Sequence, residues 1–130
     1  MKLKFYWCHT PAGSLAFCTS DVLDSSGISP LCCLLMDDGG LDWKTASSWL
    51  EEGIARVDRA LSAEARQSLF WARECWGAEL GKTETKIYSL LEDSVSEKVN
   101  TLEFRNVLAQ WLNFIAAQNK LQSMELVLLS

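Results

Sequence analysis

The sequence predicts an α+β fold: a single domain over residues 1–130, a mainly antiparallel sheet with two to three helices packed on it. Three observations lead there. Leu102–Gln118 places Phe104, Val107, Leu108, Trp111, Leu112 and Ile115 at i, i+3, i+4, i+7, i+8 and i+11, one face of a helix. Lys2–His9 instead alternates Leu3, Phe5 and Trp7 with Lys4 and Tyr6, the period of a strand. Two further strand-like runs, Trp76–Leu80 and Thr83–Leu90, flank Gly81-Lys82, a two-residue turn that suits a hairpin. A chain of 130 residues supplies one core and is too short for two.

In chain order, Lys2–His9 is the first strand, and Thr10-Pro11-Ala12-Gly13 turns it into a second, Ser14–Thr19. Asp21–Pro30, rich in Asp, Ser and Gly, is a loop. The apolar run Leu31–Met36 has strand length and fits a strand buried on both faces, with a buried helical turn as the alternative. Asp42 is the N-cap of a helix in which Trp43, Ala46, Trp49, Leu50, Ile54, Val57 and Leu61 recur at helical spacing. Glu52 stands four before Arg56, as a helical ion pair would, and Gly53 weakens the middle of this helix by about 1 kcal/mol relative to Ala. Residues 62–73 are either a short second helix or an irregular linker.

In the predicted hairpin Leu80 faces Thr83, Ala78 faces Thr85 and Trp76 faces Ile87. The polar stretch Glu92–Asn100 is a loop into the last helix. Asn100, three before Glu103, forms a capping-box pair with Asn as the cap, Thr101 is the alternative cap, and Asn119 is the C-cap. Met124–Leu129 is a short final strand.

Composition narrows the function. Nearly half the residues are apolar and six are Trp, so the chain is globular and not disordered. A formal charge of −5 disfavours nucleic acid and favours a basic protein partner. The five cysteines are odd in number, two are adjacent, and there is no C-x-x-C, so reduced thiols in a cytoplasmic protein are the simplest reading. No stretch has the length of a membrane span, and the early apolar run is broken at His9-Thr10-Pro11, too soon for a signal peptide.

No catalytic, metal or cofactor-binding residues are expected. His9 is the single histidine, and Cys8 beside it in a strand points to the opposite face, although Cys18 or Cys33 could approach across the sheet. Asp37-Asp38-Gly39-Gly40-Leu41-Asp42 lacks the alternating acids and closing Glu of a calcium loop, and a turn before a capped helix explains it better. Phosphate-cradling and nucleophile-elbow motifs are absent. Trp43, Trp49 and Trp111 lie on apolar helical faces and belong to a core, whereas Trp71 and Trp76 flank Arg73-Glu74 and could anchor an interface. The acids Asp37, Asp38 and Asp42, and then Glu92, Asp93 and Glu97, form two clusters. Each is ordinarily a solvated surface, but together they mark a candidate protein-binding face.

The residues WGAEL (76–80), KIYSLLED (86–93) and LEFRNVLAQWLNFI (102–115), preceded by the amphipathic DWKTASSWLEEGIARV (42–57), resemble immunity proteins of bacterial contact-dependent inhibition and polymorphic-toxin systems. The resemblance covers residues 42–115 and is a pattern of apolar positions. It implies a cytoplasmic antitoxin; the missing catalytic set argues against an enzyme, and of the oligomeric states, which the sequence leaves open, a monomer is favoured. Such a protein binds the C-terminal domain of one cognate toxin, commonly a basic nuclease, and blocks its active site or substrate groove. Asp37, Asp38, Glu92, Asp93, Glu97 and Trp71 are the candidate toxin-binding residues. Two other classes fit a small acidic α+β protein: a dimeric secretion chaperone that binds an extended client segment, and a small thiol enzyme with one hyper-reactive cysteine.

Overall fold

The computed structural model describes residues 1–39, 42–62, 69–92 and 94–128. Strands β1 (Lys2–Thr10) and β2 (Gly13–Ser20) form the first hairpin, followed by helices α1 (Pro30–Met36) and α2 (Trp43–Leu61). Strands β3 (Leu69–Ala72), β4 (Trp76–Leu80), β5 (Glu84–Ser89) and β6 (Ser96–Asn100) then lead to α3 (Thr101–Ala117) and β7 (Met124–Val127). The α+β class holds, with the antiparallel strands shared between two sheets, β2-β1-β7 and β3-β4-β5-β6.

The local signals act as their chemistry requires. Asp42 accepts from Thr45 N at 2.8 Å and Asn100 accepts from Glu103 N at 3.0 Å, each satisfying a free donor of a helix's first turn. Glu52 pairs with Arg56 at 2.6 Å. Helix α3 ends one residue earlier than expected, on Gln118 in the left-handed region (φ 52°).

Four elements differ from expectation. Residues 31–36 are helical. Ser29 accepts from Cys32 N, and Pro30 occupies the first helical turn, where its fixed φ is already suitable. With Leu31, Cys32, Leu34 and Leu35 all buried, this short helix shows no polar face by which its period could be recognised. Residues 96–100 form strand β6 and not a loop: Val99 lies opposite Thr85 and turns inward, while its neighbours stay polar. Residues 69–72 form strand β3, and residues 63–68 lie outside the described residues, as do Gly40, Leu41 and Leu129. The hairpin pairs Leu80 with Thr85 and Ala78 with Ile87, two residues off the predicted register. Gly81 N donates to Glu84 O at 3.0 Å and lengthens the turn. A slip of two keeps every side chain on its face, so Leu80, Ala78 and Ile87 are still buried.

The core lies where α3 meets α2 and the inner faces of both sheets. Phe5 of β1 makes an edge contact with Trp111 (centroids 5.0 Å apart), and Phe114 stacks on Trp7 at 5.6 Å. A buried hydroxyl pair, Thr85 and Thr101 at 2.9 Å, fastens β5 to the start of α3, and Thr101 also donates to Gly81 O. Trp111 is in this core as expected. Trp49 is only half-buried, and Trp43, on the first turn of α2, is 40% exposed, so neither is the core residue the helical spacing predicts.

Candidate functional site

Three connections meet at the C-terminal end of α1, and Asp37 joins them. As the C-cap of that helix it donates its N–H to Leu34 O. Its carboxylate accepts from Cys75 N at 2.6 Å and Trp76 N at 3.0 Å, holding the β3–β4 turn. Within that turn Arg73 N donates to Trp76 O, and Cys75 O accepts from Leu90 N at 2.9 Å, which brings in the β5–β6 connection. Ser89 Oγ accepts from both Leu91 N and Glu92 N and shapes the bend that follows.

The result is an apolar patch with an acidic rim. Leu90 is 44% and Leu91 is 79% exposed, and Trp76 is half-buried nearby. Glu74 and Glu92 are exposed and Asp38 is half-buried. The Glu74 carboxylate reaches back over Gly39, whose φ of 64° makes the turn after α1.

Next to Glu74 in the chain, Arg73 is only 5% exposed. Its guanidinium lies 5.0 Å from the Trp49 ring and 5.5 Å from the Trp71 ring, and Nη1 donates to Leu35 O at 3.3 Å. Burial pushes its pKa down to about 10 while the charges of Asp37 and Asp38 oppose that shift. Arg73 therefore supplies internal charge balance to the acids at this end.

A half-open cleft of about 360 Å³ adjoins Asp38 and Arg73. Its walls include Trp7 and Ala16 from the first hairpin, Met36 from α1, Trp43 from α2 and Trp111 from α3. Lys120 Nζ stands 3.7 Å above the Trp7 ring at one side.

The predicted site residues separate into groups. Asp37, Asp38 and Glu92 come together at this end, but Asp37 is committed to two backbone amides. Glu97 belongs to the other end of α1, about 10 Å away along that seven-residue helix. There it accepts from Leu31 N at 3.1 Å, and burial raises its pKa. Asp93 lies outside the described residues. The expectation that Trp71 is exposed at an interface is corrected: it is 1% exposed, because β3 turns it inward against Gly53 of α2. Trp76 is the member of that pair that reaches solvent. Sequence reasoning missed Glu74, Leu90 and Leu91. The signal was an apolar Leu-Leu pair set directly before Glu92 in a polar stretch.

His9 is exposed and its Nδ1 meets Ser14 Oγ at 2.8 Å. Cys18 lies opposite Phe5, four residues along β1 from His9 and so about 13 Å away, which separates that thiol from the imidazole. Asp42 caps α2 and Asp37 holds backbone amides, so both ends of the acidic run around residue 39 have structural partners. Among the described residues no helix is long and apolar enough to cross a membrane. No protein family, curated protein or solved structure matches this chain.

Proposed function

We propose that this protein is a bacterial immunity protein, a cytoplasmic antitoxin that binds the C-terminal domain of a cognate toxin and blocks its active site or substrate groove. The observation that carries the reading is the patch beside α1, where exposed Leu90 and Leu91 precede exposed Glu92 and the bond from Leu90 N to Cys75 O brings exposed Glu74 alongside. Apolar contacts at the centre of an interface supply affinity, and a rim of one charge steers and orients the partner. With a net charge of −5, the whole molecule favours a basic partner such as a nuclease.

The test is co-expression of the tagged protein with the C-terminal domain encoded immediately upstream, followed by pull-down and a growth assay. Killing by that domain alone, silenced by a stable 1:1 complex, is the expected result. A harmless upstream product, or a dimer that holds an extended tail, would replace this reading with that of a secretion chaperone.

A further inference from the structure

The two most deeply buried thiols of the chain touch. Cys18 lies on β2 and Cys32 on α1, fourteen residues apart in sequence, and their Sγ atoms are 3.0 Å apart. Cys18 is 2% and Cys32 is 3% exposed. That separation is about 1 Å longer than the sulfur–sulfur bond of about 2.05 Å. The elements around the pair are already fixed: Cys18 N donates to Met36 Sδ, and Ser29 caps the helix that carries Cys32. The other cysteines are placed elsewhere. Cys8 pairs with Leu15 and so points to the opposite face of the sheet from Cys18, and Cys75 is held by Asp37 at the far end of α1. Cys33 follows Cys32 directly, and adjacent cysteines are poorly placed to bond each other.

We infer that Cys18 and Cys32 form a reversible disulfide that staples strand β2 to helix α1. This inference is independent of the proposed function. The oxidant is a low-molecular-weight disulfide of the glutathione type. One thiolate, exposed by a local opening of α1 from β2, attacks it, forming a mixed disulfide and releasing one small thiol. The second thiolate then attacks the protein sulfur of that intermediate and releases the other small thiol. Two protein thiols become one disulfide, and the small disulfide is reduced to two thiols. Whichever of the two ionises is held as a thiolate by the S–H of the other, so each can make the first attack. Ala16 and Phe17 of β2 and Leu35 and Met36 of α1 line the aromatic cleft, so the bond would fix two of its walls to each other. In a reducing cytoplasm the pair would rest as thiols and close under oxidative challenge.

The full chain is incubated with oxidised glutathione, acid-quenched, unfolded, alkylated with iodoacetamide and mapped by mass spectrometry. The expected product is a single cross-linked peptide joining Cys18 to Cys32, with Cys8, Cys33 and Cys75 alkylated. The melting temperature should rise by about 10 °C over the reduced form, as expected for a short closed loop. Cys33→Ser should keep both the cross-link and the rise, and Cys18→Ala should lose both. Alkylation of Cys18 and Cys32 after oxidation would overturn the inference. So would a cross-link through Cys33, or loss of the bond in Cys33→Ser.

Discussion

Gly53 in the middle of α2 makes room for the indole of Trp71. A Cβ at Gly53 would stand 2.7 Å from two atoms of that ring, where carbon–carbon contacts settle at about 3.5–4.0 Å. Trp71 has nowhere to retreat, being 1% exposed with the Arg73 guanidinium 5.5 Å from its ring. Helix propensity alone favours Ala at this position by about 1 kcal/mol, and overpacking opposes it by about 1–3 kcal/mol. Gly53→Ala is expected to lower stability by about 1 kcal/mol, measured by urea unfolding. A raised urea midpoint would mean that the indole shifts freely and that packing does not select this glycine.

Asp37 is expected to act on stability before it acts on binding. Its carboxylate serves two backbone amides 38 and 39 residues away, and its removal leaves Cys75 N and Trp76 N without their acceptor. Hydrogen bonds to charged groups contribute about 1.5–3 kcal/mol each. Asp37→Ala should therefore cost about 3 kcal/mol, and Asp37→Asn, which retains one acceptor oxygen, should cost less. Chemical denaturation of the two variants checks the order, and equal stability of Asp37→Ala and the parent protein would remove this residue from the scaffold.

Glu92 and Glu74 should behave in the opposite way. Both are exposed, so Glu92→Gln and Glu74→Gln are expected to stay within about 0.5 kcal/mol of the parent in stability. Against the proposed toxin partner they should slow association and flatten its salt dependence, while Leu91→Ser should speed dissociation. Stopped-flow or surface-based kinetics at two salt concentrations separates these effects. Unchanged rates in all three variants would place the interface elsewhere on the molecule.

Glu97 imposes a pH dependence whose sign follows from its burial. Its ordinary pKa is 4.5 and burial raises it in the folded protein. Between those two values the unfolded chain has released the proton and the folded protein still holds it, so stability falls as pH rises through that window. Glu97→Gln keeps an oxygen for Leu31 N and carries no ionisable group, so it should remove this part of the slope. Asp42 acts in a different window: its capping bond to Thr45 lowers its pKa below 3.8, so its contribution is lost as pH falls through that lower value. Urea unfolding from about pH 4 to about pH 7 tests the prediction for Glu97. An unchanged slope in Glu97→Gln would assign it to another group.

The sequence by itself determined the features that are local in the chain. The caps at Asp42 and Asn100, the Glu52–Arg56 pair, the apolar faces of α2 and α3 and the first hairpin depend on residues a few positions apart. Their spacing is set by backbone hydrogen bonding and can be read directly. Tertiary structure decided the rest. The helix over 31–36 was not legible because burial on nearly every side erased its period. The β4–β5 register moved by two because turn length, which alternation does not encode, sets it. Asp37 reads as a surface acid until Cys75 and Trp76 are brought to it, and Trp71 reads as an interface residue until Gly53 opens a place for it in the core. Leu90 and Leu91 became a patch, and Cys18 and Cys32 a pair, only when separate elements converged. Such contacts join residues distant in the chain, and they are fixed by how the helices and the two sheets bury their apolar faces together.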